Sequence, residues 1–69
     1  MNNIDLSIIV PVFNVEGYLN RALDSILKQS SSIKYEILLI DDDSTDQSGA
    51  ICDEYQGNYS NIFVRHIEN

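Results

Sequence analysis

The chain has 69 residues, with 11 acidic against 4 basic side chains and a formal net charge of −7. That length holds at most one small domain, or part of a larger one, with a thin core that buries roughly 60% of the unfolded surface. One cysteine, Cys52, excludes an internal disulfide and one histidine, His66, excludes a Cys/His zinc cluster. The acidic balance argues against nucleic acid as a partner, and 43% hydrophobic residues is too many for a disordered acidic tail.

The N-terminus, Met1-Asn2-Asn3-Ile4-Asp5, carries no basic residue. The apolar run 8–13 is short and contains Pro11, so it reads neither as a signal peptide nor as a membrane span. The expected location is the cytoplasm, or the inner face of a membrane for a longer protein. Residues 6–12 (LSIIVPV) are β-branched and apolar on both faces, which predicts a buried parallel strand ending near Pro11. Residues 15–29 predict a helix. Leu19, Ala22, Leu23, Ile26 and Leu27 fall on one stripe, with Asn14 as N-cap, Glu16 in the first turn and Lys28 in the last.

Residues 35–40 (YEILLI) predict a second strand. Ser44-Thr45-Asp46-Gln47 matches a capping box, Ser44 as cap and Gln47 at the third helical position. The helix it opens should run to about Gln56, on a thin stripe of Ala50, Ile51 and Tyr55 weakened by Gly49, with Gly57-Asn58 as the stop. Residues 61–67 predict a third strand. The β-α-β-α-β order with right-handed crossovers gives an α/β fold, a three-stranded parallel sheet with helices packed on it.

Ligands of open parallel sheets bind beyond the carboxyl ends of the strands. Two loops fall there, 11–16 and 41–46. The first offers the aromatic Phe13 and a helix start. The second offers Asp41, Asp42 and Asp43. A base ring lying against Phe13, with an acid accepting the ring N–H of uracil or thymine, suits this pair, because a carboxylate only accepts. Free N–H groups at the helix starts suit a phosphate or a ribose hydroxyl. Plainer readings stand beside these. The acids also fit a solvated turn before a helix, or a calcium loop, although Gln47 and Asp53 stand where such a loop wants Gly and Glu. Phe13 also fits a core position. His66 reads as a surface or packing residue, Cys52 as an inert buried thiol, and Tyr55 and Tyr59 as helix-to-sheet packing. The glycine-rich, Walker-lysine, G-x-S-x-G and H-E-x-x-H motifs are absent.

At these loops the chain resembles the family 2 glycosyltransferases of the GT-A fold. Residues 7–19 (SIIVPVFNVEGYL) are similar to that family's opening, roughly SIIVPVYN-x-E-x-YL. Residues 23–29 (LDSILKQ) are similar to L-x-SIL-x-Q, and 35–46 (YEILLIDDDSTD) to EIIIVDDGSTD; 51–55 (ICDEY) matches the family's common helix ending. The resemblance spans residue 6 to the end of the chain. It implies the N-terminal nucleotide-binding part of a Rossmann-like GT-A domain over 1–69. It also implies a nucleotide-sugar site, with a UDP-sugar as the donor. Phe13 would stack on the base. Pro11 and Val12 would line the pocket through backbone, Glu16 would sit near base or ribose, and Asp42 would take the base N–H.

Asp43 stands where the family usually has Gly. It is among the few residues that tolerate the left-handed region such a turn needs. The resemblance implies a divalent metal, Mg or Mn, for the full enzyme, and places its ligands and the catalytic base further along than this chain reaches. No catalytic or metal residue is therefore expected within it. The parent would transfer a sugar with inversion to an acceptor hydroxyl, with bacterial cell-surface polysaccharide as the product. The rival expectation is a non-catalytic remnant that self-associates through an open edge at 7–10, the first strand being interior in the family fold. A receiver-like signalling domain is disfavoured, because its acid pair follows the first strand.

Overall fold

A computed structural model describes residues 4–28 and 33–68. The elements are β1 (Leu6–Val12), α1 (Glu16–Leu27), β2 (Tyr35–Asp42), α2 (Ser48–Asn58) and β3 (Ile62–Ile67), in the expected α/β order. The expected helix end at Gln29 and the loop at 30–32 lie outside the described residues. The three strands form one parallel sheet in the order β1-β2-β3. Leu6 pairs with Tyr35 and Val12 with Asp41; Ile37 pairs with Ile62 and Asp41 with His66.

Strand order follows chain order, so two right-handed crossovers place both helices on the same face. Alternation along the strands puts Val12, Ile37, Leu39 and Ile62 on that face, where they form one core with Leu19, Leu23 and Cys52. The other face carries Ile9, Pro11, Leu38, Ile40, Phe63 and Ile67. No described helix covers it, and Ile9 is 64% and Phe63 48% exposed. Among the described residues β1 pairs with β2 alone, so its outer edge is open.

Helix α1 keeps its first-turn acid, Glu16, and buries Leu19 and Leu23. Ile26 and Leu27 pack partly against the core, while Ala22 faces solvent, so the stripe is narrower than the spacing predicts. Lys28 is the C-cap rather than a last-turn residue. In α2 the buried residues are Ser48 and Cys52; Ile51 and Tyr55 lean on the core and Ala50 is exposed. Gly57 and Asn58 close the last turn of α2 instead of following it. Tyr55 also reaches across to α1. Tyr55 Oη donates to Asp24 Oδ1 at 2.7 Å on α1, and its ring stacks on Tyr59 at 6.0 Å. Burial and that carboxylate push the Tyr55 hydroxyl up to about 12.

Candidate nucleotide site at the strand ends

Parallel pairing brings the carboxyl ends of β1 and β2 together, and the loops that follow them are laced by hydrogen bonds. Asn14 leaves β1 with φ 49° and Asp43 leaves β2 with φ 55°, both in the left-handed region. Asn and Asp are the side-chain-bearing residues that enter this region most readily, so the sequence suits two sharp turns without glycine. Asp43 thus has the conformation anticipated for it.

The capping differs from expectation. Asn14 is not the N-cap of α1; Val15 holds that position and makes no side-chain cap bond. Asn14 Oδ1 instead accepts from Thr45 N at 2.8 Å and Asp46 N at 3.4 Å across the loops. Nor does Ser44 open a capping box. Helix α2 starts at Ser48 behind Gln47, because 43–47 is consumed by the turn. Ser44 Oγ accepts from Asn14 N at 3.1 Å, and Ser48 Oγ, fully buried, accepts from Val15 N at 2.8 Å. Asp46 accepts from Glu16 N at 3.1 Å through Oδ2 and from Ser48 N at 2.8 Å through Oδ1. Glu16 Oε1 returns the brace, accepting from Gln47 N at 3.2 Å. Asp46 thus serves the starts of both helices, and Glu16 of α1 holds the N–H that precedes α2. The N–H groups of Val15, Glu16, Gln47 and Ser48 are engaged inside the protein, so these four are not among the free helix-start groups expected to meet a phosphate. Burial alone would raise the Asp46 carboxyl, but the bonds from Ser48 and Glu16 outweigh it and hold it below its ordinary value.

The five residues singled out by sequence lie at this end of the sheet. Val12 is 1% exposed, its side chain in the core, so only its backbone faces the loops. Pro11 is exposed on the uncovered face, opposite Ile40. Phe13 follows directly and is 57% exposed, so it is not a core residue. Asp42 ends β2, exposed and on the same face as Pro11 by alternation. Glu16 is exposed and braces the second loop. An aromatic and a carboxylate thus stand at neighbouring strand ends, on loops joined by hydrogen bonds. Among the described residues no group of three or more His, Cys, Asp or Glu side chains is placed to hold a metal ion.

The acids are not one solvated turn. Asp41 is 5% exposed on the helix side of the sheet. Burial would raise its carboxyl; bonds from Ser44 and His66 hold it below its ordinary value. His66 lies between two carboxylates, Asp41 at 2.7 Å and Asp53 at 2.8 Å, and these raise its pKa, Asp53 more strongly. Sequence reasoning missed this cluster. The signal was present in the alternation, which carries Ile37, Leu39 and Ile62, Val64 on to Asp41 and His66 at adjacent strand ends. Cys52 is the inert buried thiol expected, pushed up to about 11 by burial and by the charges of Asp41 and Asp53.

An open parallel α/β sheet places its ligand crevice beyond the carboxyl ends of its strands, where these braced loops lie. The model of glycosyl transferase family 2 matches residues 7–69, and the chain belongs to that family. It is 43% identical over 63 residues to the minor teichoic acid biosynthesis protein GgaB of Bacillus subtilis, covering 90% of this chain and 7% of that protein. It is 50% identical over 64 residues to glycosyltransferase GlyA of Streptococcus pneumoniae, covering 93% of this chain and 9% of the relative. With the poly(ribitol-phosphate) beta-glucosyltransferase of Bacillus spizizenii it shares 40% identity over 60 residues, 86% of this chain and 10% of the other. The chain spans from 7% to 21% of the length of the first relatives it matches. No helix among the described residues is long and apolar enough to cross a membrane.

Proposed function

We propose that this chain is the base- and ribose-binding part of a glycosyltransferase that uses a nucleotide-sugar donor, a UDP-sugar. In this reading the rest of the transferase domain lies outside residues 1–69. The observation that carries it is the juxtaposition of exposed Phe13 and Asp42 at the ends of paired strands, on loops locked by Asn14, Ser44 and Asp46. Phe13 offers its ring to the base. Asp42, an acceptor only, takes the N3–H of uracil and repels cytosine, whose N3 is an acceptor. Pro11 and Val12 line the pocket through backbone, and Glu16 faces base or ribose while its Oε1 braces Gln47.

The reaction of the whole protein is transfer of a sugar to an acceptor hydroxyl with inversion, in the cytoplasm or at the inner face of the membrane. The teichoic acid and poly(ribitol-phosphate) named for its relatives support a bacterial cell-surface polysaccharide as the product. A divalent cation, Mg or Mn, would neutralise the diphosphate when bound. The described residues offer it no ligand set. The second reading, a non-catalytic self-associating piece, draws on the open β1 edge and the uncovered sheet face.

Protein-observed NMR of the chain titrated with UDP, with and without Mn²⁺, tests the first reading. It expects shifts centred on the Phe13, Glu16 and Asp42 amides that metal does not alter. A folded chain showing no shifts overturns a base site formed by these residues alone.

A further inference from the structure

His66 stands outside the two loops, on β3, yet both of its ring nitrogens are engaged. Nδ1 is 2.7 Å from Asp41 Oδ2 and Nε2 is 2.8 Å from Asp53 Oδ1. Carboxylates only accept, so the imidazolium alone satisfies both contacts; a neutral ring turns a lone pair on one of them. The two partners are unequal. The Asp53 side chain is 59% exposed and can turn to water, whereas that of Asp41 is 7% exposed and cannot.

Asp41 is the start of a connected path. Its other oxygen, Oδ1, accepts from Ser44 N at 3.2 Å. Ser44 Oγ then accepts from Asn14 N in the other loop. From the helix side, Gly49 fits so closely that a Cβ there would lie 2.8 Å from Asp41 Oδ2. Asp42 sits between Asp41 and Ser44, the two fixed points of the turn.

We propose that His66 is a positioning residue of the nucleotide site, which clamps the Asp41 carboxylate so that turn 41–44 presents Asp42 to the base. This rests on the base-binding reading above. The titratable groups around the ring are Asp41 on β2 and Asp53 on α2, with the Cys52 thiol of α2 near enough to feel both charges. Arg65, its neighbour on β3, projects to the opposite face by alternation.

The sign follows from the two shifts. His66 is raised above 6.5, so its contribution is complete below that value and lost as pH rises through the folded pKa. Asp41 is lowered below 3.8, so its contribution is present above that value and lost only as pH falls through the folded pKa. The clamp is complete between these limits and slackens on the alkaline side.

Uridine is the probe, because it carries base and ribose without a titrating phosphate. The unmodified chain, His66→Gln and His66→Phe are compared from about pH 5.5 to about pH 8, across the range of His titration. The uridine Kd of the unmodified chain should rise roughly three- to tenfold as His66 deprotonates, the effect of losing a charge-assisted hydrogen bond. His66→Gln, which keeps a donor without a titrating proton, should give a flat profile, and His66→Phe should bind weakly throughout. In the free chain the Ser44 and Thr45 amides should titrate at the midpoint of the His66 ring, and cease to do so in His66→Gln.

A pH profile unchanged in His66→Gln, or full affinity in a folded His66→Phe chain, overturns the proposal. If uridine binds none of the three, the base-binding reading fails. The Ser44 amide then decides the clamp by itself: titration with His66 upholds it, and indifference to His66 overturns it.

Discussion

Phe13 is an apolar ring left 57% exposed at the end of β1, and the exposed Asp42 ends the neighbouring strand β2. In the proposed base site this ring stacks on the base, and a base–aromatic stack is worth about 1–3 kcal/mol. Phe13→Ala should therefore weaken UDP binding roughly tenfold or more, read by calorimetry, with the melting temperature nearly unchanged because the ring supports no core contact. The two left-handed residues carry a different burden. Asp43 at φ 55° tolerates its turn, whereas a β-branched side chain there does not. Asp43→Val should cost about 1–3 kcal/mol in a denaturant titration. This conformation was legible through the resemblance, since Asp43 stands where the family usually has Gly. The role of Asn14 was not. A local pattern assigns an Asn before a helix to that helix, but its partners Thr45 and Asp46 lie 31 and 32 residues on.

The elements themselves were read more securely than their ends. β-Branched runs and the Leu19–Leu23 spacing identify strands and first helix, because burial on a known period leaves a trace in one sequence. Helix α2 is different. Its apolar stripe is thin, and its N-cap is displaced from Ser44 to Gln47 because the loop before it is built to grip the other loop. Gly49 reads from sequence as a weakness of this helix. The structure gives it a purpose, since a Cβ would come within 2.8 Å of Asp41 Oδ2, an oxygen already held by His66. Gly49→Ala would gain about 1 kcal/mol of helix propensity in an open site. Here the contact should outweigh that gain, giving net destabilisation of about 1–2 kcal/mol by chemical denaturation. A stabilised Gly49→Ala chain would show that Asp41 can move aside.

At the scale of the molecule, the strand order and the crossover rule together place α1 and α2 on one side. The sequence shows strands apolar on both faces but cannot say which face a helix will cover. That is a property of topology rather than of any one strand. The result is a sheet with Ile9, Phe63 and Ile67 exposed and an open β1 edge, in a chain of net charge −7. Apolar area and unpaired backbone favour association, and the charge opposes it, more weakly as salt rises. The chain should therefore associate more strongly with added salt in sedimentation velocity. Ile9→Lys, which sets a charge on both the face and the edge strand, should shift it toward monomer at every salt concentration. A monomer that ignores salt and the substitution would count against the self-associating reading.

A base site of Phe13 and Asp42 selective for uracil is put to the test by comparing UDP with CDP in calorimetry on the unmodified chain and on Asp42→Asn. UDP should bind more tightly, by roughly tenfold for one charge-assisted hydrogen bond gained against one repulsion, and the gap should close when the amide, able to donate as well as accept, replaces the carboxylate. Equal affinity for the two nucleotides, or a preference for UDP that survives Asp42→Asn, would contradict it.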